Sequence, residues 1–257
     1  MKTLLFLRFI LVVFLCGLCR LTASTTDDIA SANQSLASGH ADDALNSYRM
    51  LLVSPQFSKD ASPELWYDRG LAEEKTGDPV AASLSFRRAL LLDPTLAPAR
   101  EALASVLGPL GVPVTPGWRD QILAKVHPET LILGGAILGW LGALVFVIFF
   151  VLVPRKPAFI ALGLSAFILG HGLSVFGTFL DPRRIAPNLG VITTKSSPPL
   201  RATPADSATE QGKISPGSLI TILSRNGPWW YVVDGSGQPG WIPSTTVTPL
   251  LPLSGGS

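Results

Sequence analysis

The stretch LILGGAILGWLGALVFVIFFVLVPRKPAFIALGLSAFILGHGLSVFGTFL, residues 131–180, decides the fold. It holds two apolar runs, Leu131–Val153 and Ala158–Leu180, of 23 residues each. A helix needs about 20 residues to cross a hydrocarbon core. Neither run contains Asp, Glu, Lys or Arg. Only Pro154-Arg155-Lys156-Pro157 separates them, and a turn that short returns the chain to the side it came from. Everything before Leu131 and everything after Leu180 is therefore expected in one compartment, tied to one membrane face.

Composition fits that reading. Of 257 residues, 47% are hydrophobic and only 15% charged, with a mean hydropathy of +0.39. This is too apolar for an ordinary soluble domain. The formal net charge of +2 comes without a clustered basic face, so nucleic acid is not expected as a partner.

A third apolar run, Leu4–Leu18, follows Lys2 and ends near Leu21-Thr22-Ala23-Ser24. This pattern reads as a secretory signal peptide over residues 1–23. Arg8 inside the run and Leu21 at the −3 position leave an uncleaved anchor as the alternative. Both cysteines, Cys16 and Cys19, lie in this segment, so cleavage after Ala23 leaves no thiol for disulfides or catalysis. The signal sends the chain out of the cytoplasm and leaves the 154–157 turn inside, as the positive-inside rule asks of Arg155 and Lys156. Arg183 and Arg184, just past the second run, argue for the opposite orientation.

Residues 24–110 carry helical periodicity with an internal repeat. In Pro63–Leu96, Trp66, Gly70, Ala82, Phe86, Ala89 and Pro94 fall at positions 4, 8, 20, 24, 27 and 32 counted from Pro63. Gly70 and Ala82 are small where two antiparallel helices approach, and Trp66 and Phe86 fill the flanking space. Gly77-Asp78-Pro79 ends one helix and starts the next. Arg69 and Glu73 interrupt the apolar pattern on the side of the first helix, so the spacing is looser there. A weaker copy has Gly39, Ala44, Tyr48 and Leu51 with Asp27–Ser38 as its first helix, and Ala97–Leu107 reads as a capping helix. This spacing resembles the tetratricopeptide (TPR) repeat. The resemblance implies a concave partner-binding groove lined by Ile29, Asn33, Leu36 and Ala37 in the first repeat. In the second repeat the lining would be Tyr67, Leu71, Glu74 and Lys75. The plain alternative is that these residues are the solvated face of a small helical stack. Residues 111–130, opened by Gly and Pro, read as a linker.

Within the apolar runs, small residues recur at Gly135, Gly139 and Ala143 and at Ala166, Gly170 and Ser174, a pattern that lets helices pack closely in lipid. His171 is the one ionisable side chain in either run. Without an acidic or basic neighbour it reads as a neutral imidazole hydrogen-bonded inside the hairpin.

After a linker at 181–188, residues 189–250 change character. The β-prone runs Val191–Thr194, Ser218–Leu223, Trp230–Asp234 and Gly240–Pro243 alternate with turn residues. The segment Ala205–Gly212 reads as a loop. The order Gly217-Ser218-Leu219-Ile220, Gly227-Pro228-Trp229-Trp230-Tyr231-Val232, Gly240-Trp241-Ile242-Pro243 resembles a bacterial SH3-like (SH3b) domain. Along 229–234, Trp230 and Val232 share one face and Trp229, Tyr231 and Val233 the other. One set is expected in the core. From Trp229, Trp230, Tyr231 and Trp241, the exposed members would form an aromatic strip for peptide or glycan. Residues 251–257 are a tail.

The expected fold class is thus a multidomain membrane protein: an all-α TPR solenoid, a two-helix transmembrane hairpin and an all-β SH3-like barrel. His40, His127 and His171 are scattered, and there is no metal-ligand spacing, nucleophile elbow or phosphate loop. The expectation is a non-enzyme without cofactors. The full order resembles the E-type (BatE-like) proteins of bacterial aerotolerance (Bat) operons, most strongly over Asp28–Leu107 and on through the hairpin. That resemblance implies a non-catalytic envelope component of the bacterial inner membrane with both soluble domains on the periplasmic side. Its implied partners are von Willebrand A domain proteins and a MoxR-type ATPase system. A cell-wall protein whose SH3b domain holds peptidoglycan is the alternative.

Overall fold

The computed structural model describes residues 27–53, 62–114, 116–151 and 157–251. The expected signal peptide and most of the 154–157 turn lie outside the described residues.

The chain begins with helices α1 (27–37), α2 (Ala41–Val53), α3 (Pro63–Lys75), α4 (Pro79–Leu92) and α5 (Ala97–Leu107). The two helical hairpins share one turn device. Gly39 and Gly77 adopt φ of +87° and +79°, a region that side chains disfavour. Their turns close the same way, through His40 N to Ser35 O and Asp78 N to Glu73 O, both 2.9 Å. Ser62 and Asp78 then cap α3 and α4 by accepting from Leu65 N (3.2 Å) and Ala81 N (3.0 Å). Pro63 and Pro79 occupy the first helical positions, where no backbone N–H is needed.

Two apolar clusters hold the helices. Ala32, Leu36, Ala44, Leu45, Tyr48, Leu51, Leu65 and Ala72 form the first; Ala82, Phe86, Val106 and Leu107 form the second. Gly70 is required beside Phe86, because a Cβ there would lie 2.5 Å from Phe86 Cε1. Arg69 and Glu73, which interrupt the apolar pattern, are paired with each other. Glu73 is 2% exposed, yet both carboxylate oxygens are engaged, by Arg69 Nε at 2.9 Å and Ser85 Oγ at 2.5 Å. A buried charge so partnered ties α3 to α4. Trp66 is half-buried, with Arg69 and Arg88 over its ring at 5.3 and 4.7 Å.

Within the expected linker, Trp118–Leu123 forms a short helix, α6. The apolar helices α7 (Pro128–Val151) and α8 (Pro157–Leu180) follow, each of 24 residues and long enough to cross a membrane. They pack antiparallel over most of their length. Apart from Pro128 and Leu180, their fully buried residues are all glycine: Gly135, Gly139 and Gly142 on α7, Gly163, Gly170 and Gly177 on α8. A Cβ on Gly135 would lie 2.5 Å from Ser174 N, and one on Gly142 2.5 Å from Phe167 N. Backbone therefore meets backbone. Gly142, rather than Ala143, makes the third close approach on α7, and Gly163–Gly170–Gly177 repeats every seven residues, the period of helices wound about each other. Larger apolar side chains such as Leu133, Ile137, Trp140, Leu169 and Val175 point outward.

Two 3₁₀ turns, Pro182–Arg184 and Ala186–Asn188, lead into a seven-stranded antiparallel sheet. Its strands are β1 (Leu189–Ile192), β2 (Pro199–Arg201), β3 (Glu210–Lys213), β4 (Leu219–Asn226), β5 (Trp229–Val233), β6 (Pro239–Pro243) and β7 (Val247–Pro249). Their order is β3-β2-β6-β5-β4-β1-β7. Leu200 near one edge and Val247 at the other join one cluster with Ile192, Ile214, Ile220, Ile222, Val232 and Ile242, so the sheet curls around a single core. The segment read as a loop ends in β3, from Glu210 onward. That strand is polar and lies at an edge, so it has no buried face to give it a period-2 signature.

The helical and β modules are not separate. Leu84 and Leu91 of α4 share a buried cluster with Ala186, Val191 and Leu250. Arg87 Nη1 donates to Gly217 O at 2.5 Å. Arg88 donates from Nε to Leu250 O (3.0 Å) and from Nη2 to Pro249 O (3.2 Å). Burial pulls both guanidiniums down to about 10; for Arg88 the positive charge of Arg69 adds to the shift and Glu73 opposes it. At the open end of the hairpin, Arg183 pairs with Glu129 (2.9 Å) and donates to Leu92 O (3.1 Å).

Candidate functional site

The outer face of the curled sheet presents aromatic groups in register. Tyr231 on β5 is directly opposite Trp241 on β6, with ring centroids 5.1 Å apart and planes at 44°. Trp229 stands opposite Pro243, and Val233 opposite Pro239, on the same face. Arg201 on β2 is the next neighbour of Trp241. Its guanidinium is committed to the carbonyls of Asp206 and Ala208. The strip thus runs Trp229, Tyr231, Trp241, all half-buried.

Trp230 belongs elsewhere. Its ring packs against the β core together with Val232 and Ile242, and Arg225 covers it at 5.3 Å while donating to Pro187 O. Strand alternation separates it from its neighbours. The β5–β6 turn that holds the strip is set by Asp234, whose Oδ1 accepts from Ser236 N (2.9 Å), Ser236 Oγ (2.7 Å) and Gln238 N (2.8 Å). Partial burial pushes the Asp234 carboxyl up. The hydrogen bonds from Ser236, Gln238 and Gly237 outweigh it and leave the pKa below the usual carboxylate value.

On the helical module, the residues expected to line a groove divide by depth. Leu36 is 7% exposed and sits in the first core cluster, so its side chain offers little surface. Ile29 and Leu71 are half-buried against the same cluster. Ala37 and Asn33 are exposed. Asn33 Oδ1 accepts from Tyr48 Oη at 2.6 Å, and Lys75 Nζ reaches Leu36 O at 3.2 Å, bridging α3 to α1. Tyr67 packs on Phe86 with centroids 5.9 Å apart. Glu74 is exposed.

This face is acidic. Burial raises the Tyr67 phenol pKa, and Asp68, Glu74 and Glu101 add to it. Burial raises the Asp68 carboxyl too, with Glu64 adding and the Asn33 hydrogen bond opposing. Tyr48, in the core below, is also raised, by burial and then Asp68.

The three histidines stay apart. His40 Nδ1 meets Ser38 Oγ at 3.1 Å, and His127 Nδ1 accepts from Glu129 N at the start of α7. His171 Nδ1 donates to Phe167 O one turn back, at 3.0 Å, with its ring against Gly139. Among the described residues, no three His, Cys, Asp or Glu side chains gather to hold a metal ion.

The residues that sequence reasoning missed are Arg87 and Arg88. Two adjacent arginines inside an otherwise apolar helix are a signal that the helix has a second partner to satisfy them. Comparison with profiles of known families, with characterised proteins and with solved structures yields no match.

Proposed function

We propose that this protein is a membrane-anchored, non-catalytic adaptor of the bacterial envelope. In this reading α7 and α8 span the inner membrane, and the helical and β modules stand together on its periplasmic side as TPR-like and SH3b-like interaction units. One observation carries the reading: two modules with outward-facing surfaces are docked on each other at the open end of a hairpin that buries little besides glycine. Such a body suits an assembly platform, and its partners would be other membrane proteins, of von Willebrand A and MoxR-type systems on the resemblance above. Crosslinking in intact cells followed by purification of the full chain should recover such envelope proteins reproducibly. Recovery of none overturns the adaptor reading.

The Tyr231–Trp241 strip favours a second reading, in which the β module holds peptidoglycan. Sedimentation of the full-length protein in detergent with purified sacculi separates the two. A scaffold stays in the supernatant, whereas a cell-wall binder pellets and loses this on substitution of Trp241.

A further inference from the structure

We propose that the open end of the hairpin binds the phosphate groups of anionic phospholipids through Lys125 and Arg184, with Trp118 as an apolar anchor at the same end. This rests on the reading of α7 and α8 as spanning helices.

The level of α6 is set by one residue. Arg119 Nη2 donates to Phe179 O at 2.5 Å, and its guanidinium lies 4.9 Å over the Phe179 ring. The helix is thereby held against the last turn of α8, where the apolar run ends. Trp118, the first residue of α6, is 55% exposed there. Ile185, five residues past the end of α8, is 43% exposed. An indole at the end of a spanning helix belongs at the boundary between hydrocarbon and headgroups.

The charges at this end are unequally used. Asp120 Oδ2 accepts from Gly117 N, Asp181 Oδ1 accepts from Arg183 N, and Glu129 pairs with Arg183. All three carboxylates are engaged within the chain. Of the cations, Arg119 and Arg183 are engaged as well. Lys125 and Arg184 are exposed, and among the described residues neither side chain has a partner. They lie three residues before α7 and four after α8. In the spanning reading, two free cations just outside the apolar helices, with exposed Trp118 and Ile185 on the same segments, match an acceptor-only phosphate carried on a lipid. A soluble partner would have to enter the headgroup layer to reach them, whereas a lipid is already there.

The test uses the full-length protein. Insertion into bilayers of neutral phosphatidylcholine reads the spanning assignment alone, and failure to insert overturns that reading and this site with it. Native mass spectrometry of protein titrated with phosphatidylglycerol or phosphatidylcholine then reads the site. The expected result is a roughly ten-fold preference for phosphatidylglycerol. The preference should fall to near parity in K125A/R184A and reverse in K125E/R184E, with insertion into phosphatidylcholine unchanged. Equal retention of both lipids, an unaltered preference in the variants, or displacement by millimolar inorganic phosphate overturns the site and leaves the spanning reading standing.

Discussion

Arg88 Nε donates to the carbonyl of Leu250 at 3.0 Å across 162 residues of sequence, joining the second helix of a helical hairpin to the residue just past the last β-strand. A second bond to Pro249 O and the Trp66 ring complete its surroundings. Arg88→Ala removes two charge-assisted bonds and leaves edge carbonyls unpaired beside an apolar cluster. A loss of about 2–3 kcal/mol is expected. Arg88→Lys keeps the charge but not the fork, and should recover only part of it. In thermal unfolding the wild-type modules should melt together. In Arg88→Ala the transition should split, with faster proteolysis after β7. One unchanged transition would show that the dock contributes nothing.

The hairpin offers a matched pair. A Cβ at Gly142 meets the backbone of Phe167 and Ala166, whereas nothing lies within 4 Å of Gly134. Gly142→Val should force the helices apart and destabilise the hairpin in detergent by roughly 2–3 kcal/mol. Gly134→Val should be neutral. Equal effects would refute the glycine seam.

Asp68 and Asp234 should have opposite pH signatures. The Asp68 pKa is raised by burial, so the native state binds its proton more tightly and ionisation opposes folding. Stability from this residue falls as pH rises from the ordinary carboxylate value through the raised one. Asp68→Asn should therefore raise the melting temperature at neutral pH and lose that advantage in acid. The Asp234 pKa is lowered, so its contribution is present at neutral pH and fades as pH falls through the lowered value. Asp234→Ala should cost about 1 kcal/mol at pH 7 and little at the acid end. Melting curves across pH for both variants check the two signs.

Trp230 and Trp241 should separate folding from recognition. Trp230→Ala removes a half-buried ring that packs against the β core and is expected to cost about 2–3 kcal/mol. Trp241→Ala removes a half-buried ring from the outer face and should cost less, leaving the far-UV spectrum intact while weakening whatever the strip holds. If both variants unfold alike, the strip is structural.

Much of this architecture was legible because the relevant signals are local. Length and the absence of charge mark α7 and α8, and Gly77-Asp78-Pro79 marks a helix boundary by turn chemistry and capping alone. The small residues of the hairpin were visible as a set, but Ala143 and Gly142 are adjacent, and only packing decides which faces α8. Strands β2 and β7 each contain proline, and β3 is polar and at an edge, so none carries an alternating pattern. The dock between modules depends on residues far apart in sequence, such as Arg87 and Gly217, which are separated by 130 positions. Arg87 and Arg88 mark α4 as needing a second partner, but only the tertiary contacts show that the partner is the β module. For the candidate sites, alternation separated Trp230 from Tyr231 correctly as faces, but which face was core required the opposing strands.

Helix α4 packs on α3 and α5 with one side and on the β module with the other. It is a shared beam. A displacement of α4 is thus shared, through the two Arg88 bonds, with the carbonyls of Pro249 at the end of β7 and of Leu250. With Arg183 tying Leu92 to Glu129 at the base of the hairpin, α4 is also joined to α7 by a connection that bypasses the linkers.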